Sequence, residues 1–141
     1  MSGDKHFLDT NILVYTFDVE AAKKAKRAED LVYHALASGR GMVSYQVAQE
    51  FVAVARSRFR KSLSFEEIEE YWDSTLRPLL AVHSSPALFV RAMELCRLNH
   101  LSWYDALIVA AALQGRCKVL YSEDLQHGQR FGDLVVENPF L

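Results

Sequence analysis

The sequence predicts an α/β fold in which a mostly parallel central sheet is flanked by helices. Short apolar runs bounded by turn residues alternate with longer segments that carry helix start and stop signals. The 141 residues contain no internal repeat and no low-complexity segment, and the six glycines and three prolines are too few for a long linker. We therefore expect one domain that spans residues 1–141.

Five of the apolar runs are typical of short buried strands. They cover residues 6–8, 42–45, 79–82, 118–121 and 134–137. The first run ends at Asp9, and the last stops before Pro139. The third is bounded by Pro78 and by the turn sequence at 84–86.

The intervening segments carry the signals of helices. They cover a helical turn at 12–17 and helices at 20–38, 46–58, 64–76, 86–98 and 102–114. Gly39 and Gly115 are stop signals, and Pro86 suits the first turn of a helix. Ser64 and Glu67 have the spacing of a capping box, which starts the fourth segment in this series.

Cysteine usage and hydropathy indicate a cytoplasmic protein with no membrane association. Cys96 and Cys117 lack the spacing of a metal site, and we expect both to be buried free thiols in a reducing compartment. The first ten residues lack the apolar stretch of a signal peptide. The longest apolar run, 106–113, is too short to span a bilayer, which takes about 20 residues.

Glu50 falls on the apolar face of its predicted helix. It lies three residues after Val47 and four before Val54. Carboxylates are rarely buried unless they are paired or bound to a metal. Glu50 is therefore either a functional residue or a rim residue that pairs with Arg56, Arg58 or a neighbouring element.

Asp105 has the same character in the most apolar helix. Ile108, Val109 and Ala112 follow it at spacings of one helix face. Ser102 precedes it by three residues, so the alternative is that Asp105 only completes a capping box.

Asp9 and Asp124 follow predicted strands. In open α/β sheets, ligands bind at the carboxyl ends of the strands, where both residues would lie. Asp9 could instead cap the helix that follows it, and Asp124 could instead initiate a turn.

Together the four carboxylates predict a metal site. Parallel strands would bring all of them to one edge of the sheet, where they repel each other. A hard divalent cation relieves this repulsion, and ligation by oxygen alone suits Mg²⁺ or Mn²⁺, with one or two ions per site. Such a site fits phosphoryl chemistry, because the metal activates water and neutralises phosphate charge.

The chain resembles the PIN-domain nucleases, and among them the VapC-like toxins of bacterial and archaeal toxin–antitoxin pairs. The matching segments are FLDTNILVY (7–15), SYQVAQEF (44–51), SWYDALIVAAAL (102–113), YSEDLQHGQ (121–129) and VVENPF (135–140). The segments extend from one end of the chain to the other. The resemblance implies a three-layer α/β/α PIN-like fold and a single PIN-like nuclease domain.

Carried over by position, the acidic cluster of the family falls on Asp9, Glu50, Asp105 and Asp124. The resemblance makes Asp9 and Asp105 the closest metal ligands. It gives Glu50 a role in orienting the nucleophile, directly or through water. Asp124 would complete the site or help to hold a second metal.

The resemblance also identifies two supporting residues. Asn11 and Ser122 match polar positions that hold the carboxylates by hydrogen bonds. Glu123 lies beside Asp124 and leaves that assignment ambiguous, although the Ser-x-Asp spacing favours Asp124.

The family's activity implies a metal-dependent endoribonuclease that cleaves single-stranded or structured RNA and leaves a 5′-phosphate and a 3′-hydroxyl. It implies a cognate antitoxin as partner and a homodimer as the assembly. The alternatives are a catalytically inert PIN-like interaction module and a housekeeping RNA-processing nuclease. A dehalogenase-like phosphatase, which also begins with a strand and an Asp, is disfavoured because Asn11 stands where its second Asp would be.

The formal net charge of −2 is unusual for a nucleic-acid binder, but the basic residues are clustered. One cluster is Lys23, Lys24, Lys26 and Arg27, and the other is Arg56, Arg58, Arg60 and Lys61. They are either solvated surfaces or basic rims that guide an RNA backbone to the acidic centre. The second cluster is our candidate for RNA binding.

Overall fold

The computed structural model describes residues 3–141 and contains a six-stranded sheet in the order β3-β2-β1-β4-β6-β5. The strands are β1 (His6–Leu8), β2 (Gly41–Ser44), β3 (Leu80–Val82), β4 (Val119–Tyr121), β5 (Arg130–Phe131) and β6 (Leu134–Glu137). All neighbouring strands are parallel except β5, which pairs antiparallel with β6. The predicted α/β class with a mostly parallel sheet is confirmed.

Seven α-helices and one π-helical turn are assigned within residues 3–141. They are α1 (Thr10–Tyr15), α2 (Ala22–Ser38), α3 (Tyr45–Ser57), α4 (Phe65–Tyr71), the π-helical turn (Trp72–Leu76), α5 (Arg77–Leu79), α6 (Pro86–Asn99) and α7 (Trp103–Gln114). The predicted stop at Gly39 is a left-handed residue with φ 69°, a conformation that glycine adopts without strain. The predicted capping box of Ser64 and Glu67 is present. No helix in the described residues is long and apolar enough to cross a bilayer.

The predicted helix at 64–76 is not continuous. Its second half is π-helical, with the amide of Arg77 bonded to the carbonyl of Trp72. Pro78 follows directly and has no N–H to continue a regular ladder, which accounts for the change of helix type at this point.

Two further details differ from the sequence prediction. The strand β5 was not expected, because two residues show no periodicity. Gly132 and Asp133 form the two-residue connection to β6, and a Gly-Asp pair between apolar residues is a hairpin signal that was available. Cys117 is buried as expected, but Cys96 is only half-buried; both are free thiols.

The parallel strands direct three chain segments to one edge of the sheet. Leu8 pairs with Tyr121 at the carboxyl ends of β1 and β4, and the amide of Asp9 donates to the carbonyl of Tyr121 over 3.0 Å. The amino termini of α1 and α3 follow β1 and β2 directly at this edge.

Helices cover the sheet because they connect parallel strands. Connections between parallel strands are right-handed in about 98% of cases. Because β2 and β4 lie on opposite sides of β1, the chain crosses the sheet in one direction from β1 to β2 and in the opposite direction from β3 to β4. The helix α2, between β1 and β2, therefore lies on one face, and α6 and α7, between β3 and β4, on the other. The enclosed core includes the fully buried Phe7, Ile12, Phe51, Val109 and Leu120.

Candidate active site

All four predicted carboxylates line one cleft of about 570 Å³ at the carboxyl edge of the sheet. Asp9 enters it from the end of β1, Glu50 from α3 and Asp105 from the first turn of α7. Asp124 reaches it from the loop after β4. The cleft is thus assembled from four distant stretches of the chain.

Asp9 is the most buried member, with 5% of its surface exposed. Its Oδ1 accepts from the amide of Thr10 over 2.7 Å, which caps α1, and its Oδ2 accepts from the hydroxyl of Ser122 over 2.7 Å. Burial raises the pKa of Asp9 to about 7, against the opposing effect of these two hydrogen bonds. Asp9 therefore caps α1, as the alternative interpretation predicted, and it also lines the cleft.

Glu50 is half-buried and is held by neutral groups. The hydroxyl of Thr10 donates to its Oε1 over 2.7 Å, and Nε2 of Gln46 donates to its Oε2 over 3.4 Å. Of the partners considered for a rim residue, the two arginines are wrong, because Arg56 lies over the ring of Phe65, 4.6 Å from its centroid, and no ion pair of Glu50 with Arg58 is present in residues 3–141.

The buried stripe of α3 also differs from the predicted one. It consists of Val47, Ala48, Phe51 and Ala55. Glu50 lies beside this stripe rather than within it, on the flank that carries Ala53 and Val54 and lines the cleft. This position leaves the carboxylate accessible without exposing it fully.

Asp105 makes only half of the capping box that was considered for it. Its amide donates to the hydroxyl of Ser102 over 3.2 Å and so caps α7. Within the described residues the Ser102 amide donates no hydrogen bond to the Asp105 carboxylate. The half-buried side chain lines the cleft instead.

Asp124 is exposed and is oriented by the two predicted supporting residues. Nδ2 of Asn11 donates to its Oδ2 over 3.1 Å, and the hydroxyl of Ser122 accepts from its amide over 3.2 Å. The neighbouring Glu123 does not line the cleft and forms an ion pair with Lys24, 2.6 Å long.

The electrostatics of the cleft are those of an uncompensated acidic site. None of the four carboxylates forms an ion pair with another residue of the described chain. Asp124 and Glu50 add to the raised pKa of Asp9 by Coulomb repulsion, although less than burial does. The donors are oxygen atoms only, as Mg²⁺ and Mn²⁺ prefer. Over residues 3–141, however, no three His, Cys, Asp or Glu side chains are arranged so that they could hold a metal ion.

The four basic candidates are placed differently. Arg58 lines the carboxylate cleft. Arg58, Arg60 and Lys61 line an adjacent cleft of about 460 Å³. Arg60 is ion-paired with Glu20 over 2.6 Å. Of the four basic candidates, Arg58 alone lines both clefts and stands beside the acidic residues.

Sequence reasoning missed Thr10 and Gln46. Thr10 bridges the site, because its amide binds Asp9 and its hydroxyl binds Glu50. Gln46 also donates to the carbonyl of Tyr104 over 3.3 Å, which links α3 to α7. Thr10 adjoins a predicted site residue and Gln46 precedes Glu50 by one helical turn, so proximity in sequence was the available signal.

Comparisons with known proteins identify one family. The family model described as PIN domain matches residues 6–130. Among proteins of curated function, none matches the chain significantly.

Two solved structures are similar in fold. A toxin–antitoxin complex from Klebsiella pneumoniae contains a chain with a TM-score of 0.71 and 18% identity, and the match covers 96% of this chain and 98% of that one. The structure of VapBC2 from Rickettsia felis, bound to a DNA fragment from their promoter, gives a TM-score of 0.60 and 18% identity. That match covers 94% of this chain and 96% of the other.

Proposed function

Because the chain belongs to the PIN domain family, a family of nucleases, we propose that it is a metal-dependent endoribonuclease and the toxin of a toxin–antitoxin pair. One observation carries the proposal: four carboxylates from distant segments line a single cleft without a cationic partner among the described residues. Such an arrangement costs free energy in the absence of a counter-ion, and a divalent cation removes that cost.

In this proposal Asp9 and Asp105 are the closest ligands of Mg²⁺ or Mn²⁺, and Asp124 completes the site. The ion supplies activation of water and neutralisation of charge at the scissile phosphate. Glu50, hydrogen-bonded at both carboxylate oxygens, orients the attacking water.

The substrate and partners rest on the family and on the two solved complexes. The similar chains belong to toxin–antitoxin assemblies and match this chain over nearly its whole length, which supports an antitoxin as partner. Arg58, beside the carboxylates, is placed to contact an RNA phosphate. The homodimer and the cytoplasmic location stay predictions from the sequence.

The test is cleavage of a labelled single-stranded RNA in Mg²⁺, in Mn²⁺ and in EDTA. Asp9→Asn and Asp105→Asn variants run beside the wild type, with Asp133→Asn as a matched control because Asp133 is exposed and outside the cleft. We expect metal-dependent cleavage by the wild type and Asp133→Asn alone. Equal cleavage by all four proteins would identify a contaminating nuclease and leave the proposal without support.

A catalytically inert binding module is the second candidate, because the carboxylates do not form a ready metal cluster within residues 3–141. Such a module would not be stabilised by Mg²⁺ or Mn²⁺. A housekeeping nuclease, in contrast, would cleave RNA without arresting growth. Growth arrest on expression that the product of a neighbouring gene relieves would favour the toxin.

A further inference from the structure

A three-residue network lies directly behind Asp124 and outside the cleft. Nζ of Lys24, on α2, is 2.6 Å from Oε2 of Glu123, and the hydroxyl of Tyr15, at the end of α1, donates to Oε1 over 2.5 Å. Nζ of Lys24 also lies 4.9 Å from the ring centroid of Tyr15 and 5.6 Å from that of Phe140. Both oxygens of Glu123 are thereby engaged.

The same loop is held from its cleft side by other contacts. The amide of Glu123 donates to Oδ1 of Asn11 over 3.4 Å, and Nδ2 of Asn11 donates to Asp124. The amide of Leu125 donates to the hydroxyl of Ser122 over 3.4 Å. Although Glu123 and Asp124 are adjacent in the sequence, their side chains bind different partners: Glu123 binds Lys24 and Tyr15, and Asp124 binds Asn11.

We propose that Lys24 and Tyr15 are positioning residues for Asp124: by holding Glu123, they keep Asp124 in the cleft and set its affinity for a divalent cation. The inference rests on the proposed function for the role of the cation. Without the network, Glu123 is an unpaired carboxylate beside Asp124, free to move and to add repulsion at the acidic edge.

Charge and hydrogen bonding make this network more than an ordinary surface ion pair. An exposed Lys–Glu pair alone contributes little to stability. Here Glu123 is half-buried, and the Tyr15 hydroxyl fixes the second oxygen, so the orientation of the carboxylate is defined at both ends. Residues hydrogen-bonded to a metal ligand change metal affinity by about 10–100-fold when they are removed. Lys24 and Tyr15 act on Asp124 through its neighbour Glu123, so we expect an effect at the lower end of this range.

The test measures Mn²⁺ binding by calorimetry on the full chain without RNA. We expect Lys24→Met and Tyr15→Phe to weaken binding by about 10-fold, and Lys24→Arg to restore most of the affinity. Lys26→Met is the matched control, because Lys26 lies on the same helix but pairs with Asp30. Cleavage at saturating Mn²⁺ should recover, so the defect appears in the metal dependence rather than in kcat.

Amide hydrogen exchange of residues 123–128 in the metal-free protein supplies an independent readout. We expect faster exchange in Lys24→Met and in Glu123→Gln than in Lys26→Met, with a similar melting temperature in all three. Unchanged exchange and unchanged Mn²⁺ affinity in Lys24→Met would overturn the positioning role. If the wild type binds no Mn²⁺, the proposed function fails, whereas faster exchange in the variants would still show that the network holds the loop.

Discussion

The hydroxyl of Ser122 donates to Oδ2 of Asp9 over 2.7 Å, although the two residues are 113 positions apart. Ser122 is fully buried, and its oxygen also accepts from the amides of Asp124 and Leu125. One hydroxyl therefore connects the buried carboxylate to the loop that carries the exposed one.

Replacing Ser122 with alanine should raise the pKa of Asp9 further, because the hydrogen bond now lowers it. The rising limb of the pH–rate profile should move to higher pH. The free energy of unfolding at pH 8 should fall by about 2 kcal/mol, since a hydrogen bond to a charged group contributes about 1.5–3 kcal/mol. Ser38→Ala, at the exposed end of α2, is the control. An unmoved profile in Ser122→Ala would contradict the coupling.

The contribution of Asp9 to the stability of the metal-free protein should fall as the pH rises from about 4 to 7. The pKa of Asp9 is about 7 in the folded protein against an ordinary value of 3.8, so over this range the unfolded chain releases a proton that the folded chain keeps. This shift of the pKa lowers the free energy of unfolding by about 4 kcal/mol, and the full effect is reached above pH 7. Asp9→Asn should therefore be more stable than the wild type at pH 8 in EDTA, and not at pH 3. Urea titrations at both values decide this, and a difference that is independent of pH would refute it.

Mn²⁺ or Mg²⁺ should raise the melting temperature of the wild type by mass action. Metal at 100 times its dissociation constant stabilises the folded state by about 2.7 kcal/mol. The effect should be larger at pH 8 than at pH 6, because Asp9 must ionise to bind, and it should vanish in Asp9→Asn and Asp105→Asn. Scanning fluorimetry with millimolar metal measures it. A wild type that does not respond would favour the inert module.

Arg58→Gln should weaken RNA binding and reduce the slope of log affinity against log salt by about one. The measurement uses an Asp9→Asn background in EDTA, so that the RNA stays intact. Arg60→Gln should have a smaller effect, because Arg60 is already paired with Glu20. Arg97→Gln, on the exposed surface of α6, serves as the reference. Equal slopes for Arg58→Gln and this reference would exclude Arg58 from the RNA interface.

The sequence identified strands, helices and acidic residues where their signals are local. Asp9, after a three-residue strand, and the Ser64 cap were recognisable because capping and strand ends depend on neighbouring residues. The two-residue strand β5 shows no periodicity and was not recognised, although the Gly132-Asp133 turn before β6 was a local signal for it. The π-helical turn was not recognised because it depends on hydrogen bonding that periodicity does not encode.

The partners of the acidic residues were the least predictable part of the site. Arg56, Arg58 or a neighbouring element were the partners considered for Glu50 if it was a rim residue, and Thr10 of the neighbouring helix α1 holds it from 40 positions away. Charge patterns along a sequence indicate which residues need a partner. Which residue becomes the partner depends on distances in the folded structure. The same limit hid the contact between Lys24 and Glu123, whose residues are 99 positions apart.

The helix α1, the shortest of the helices around the cleft, holds three acidic side chains, each through a different residue. Its contacts are Thr10 with Glu50, Asn11 with Asp124, and Tyr15 with Glu123. This one helix of six residues thus fixes the positions of acids from two distant regions of the chain. A small rotation of this one helix would misalign all three contacts together, so substitutions that tilt it should be non-additive with substitutions at any of the acids.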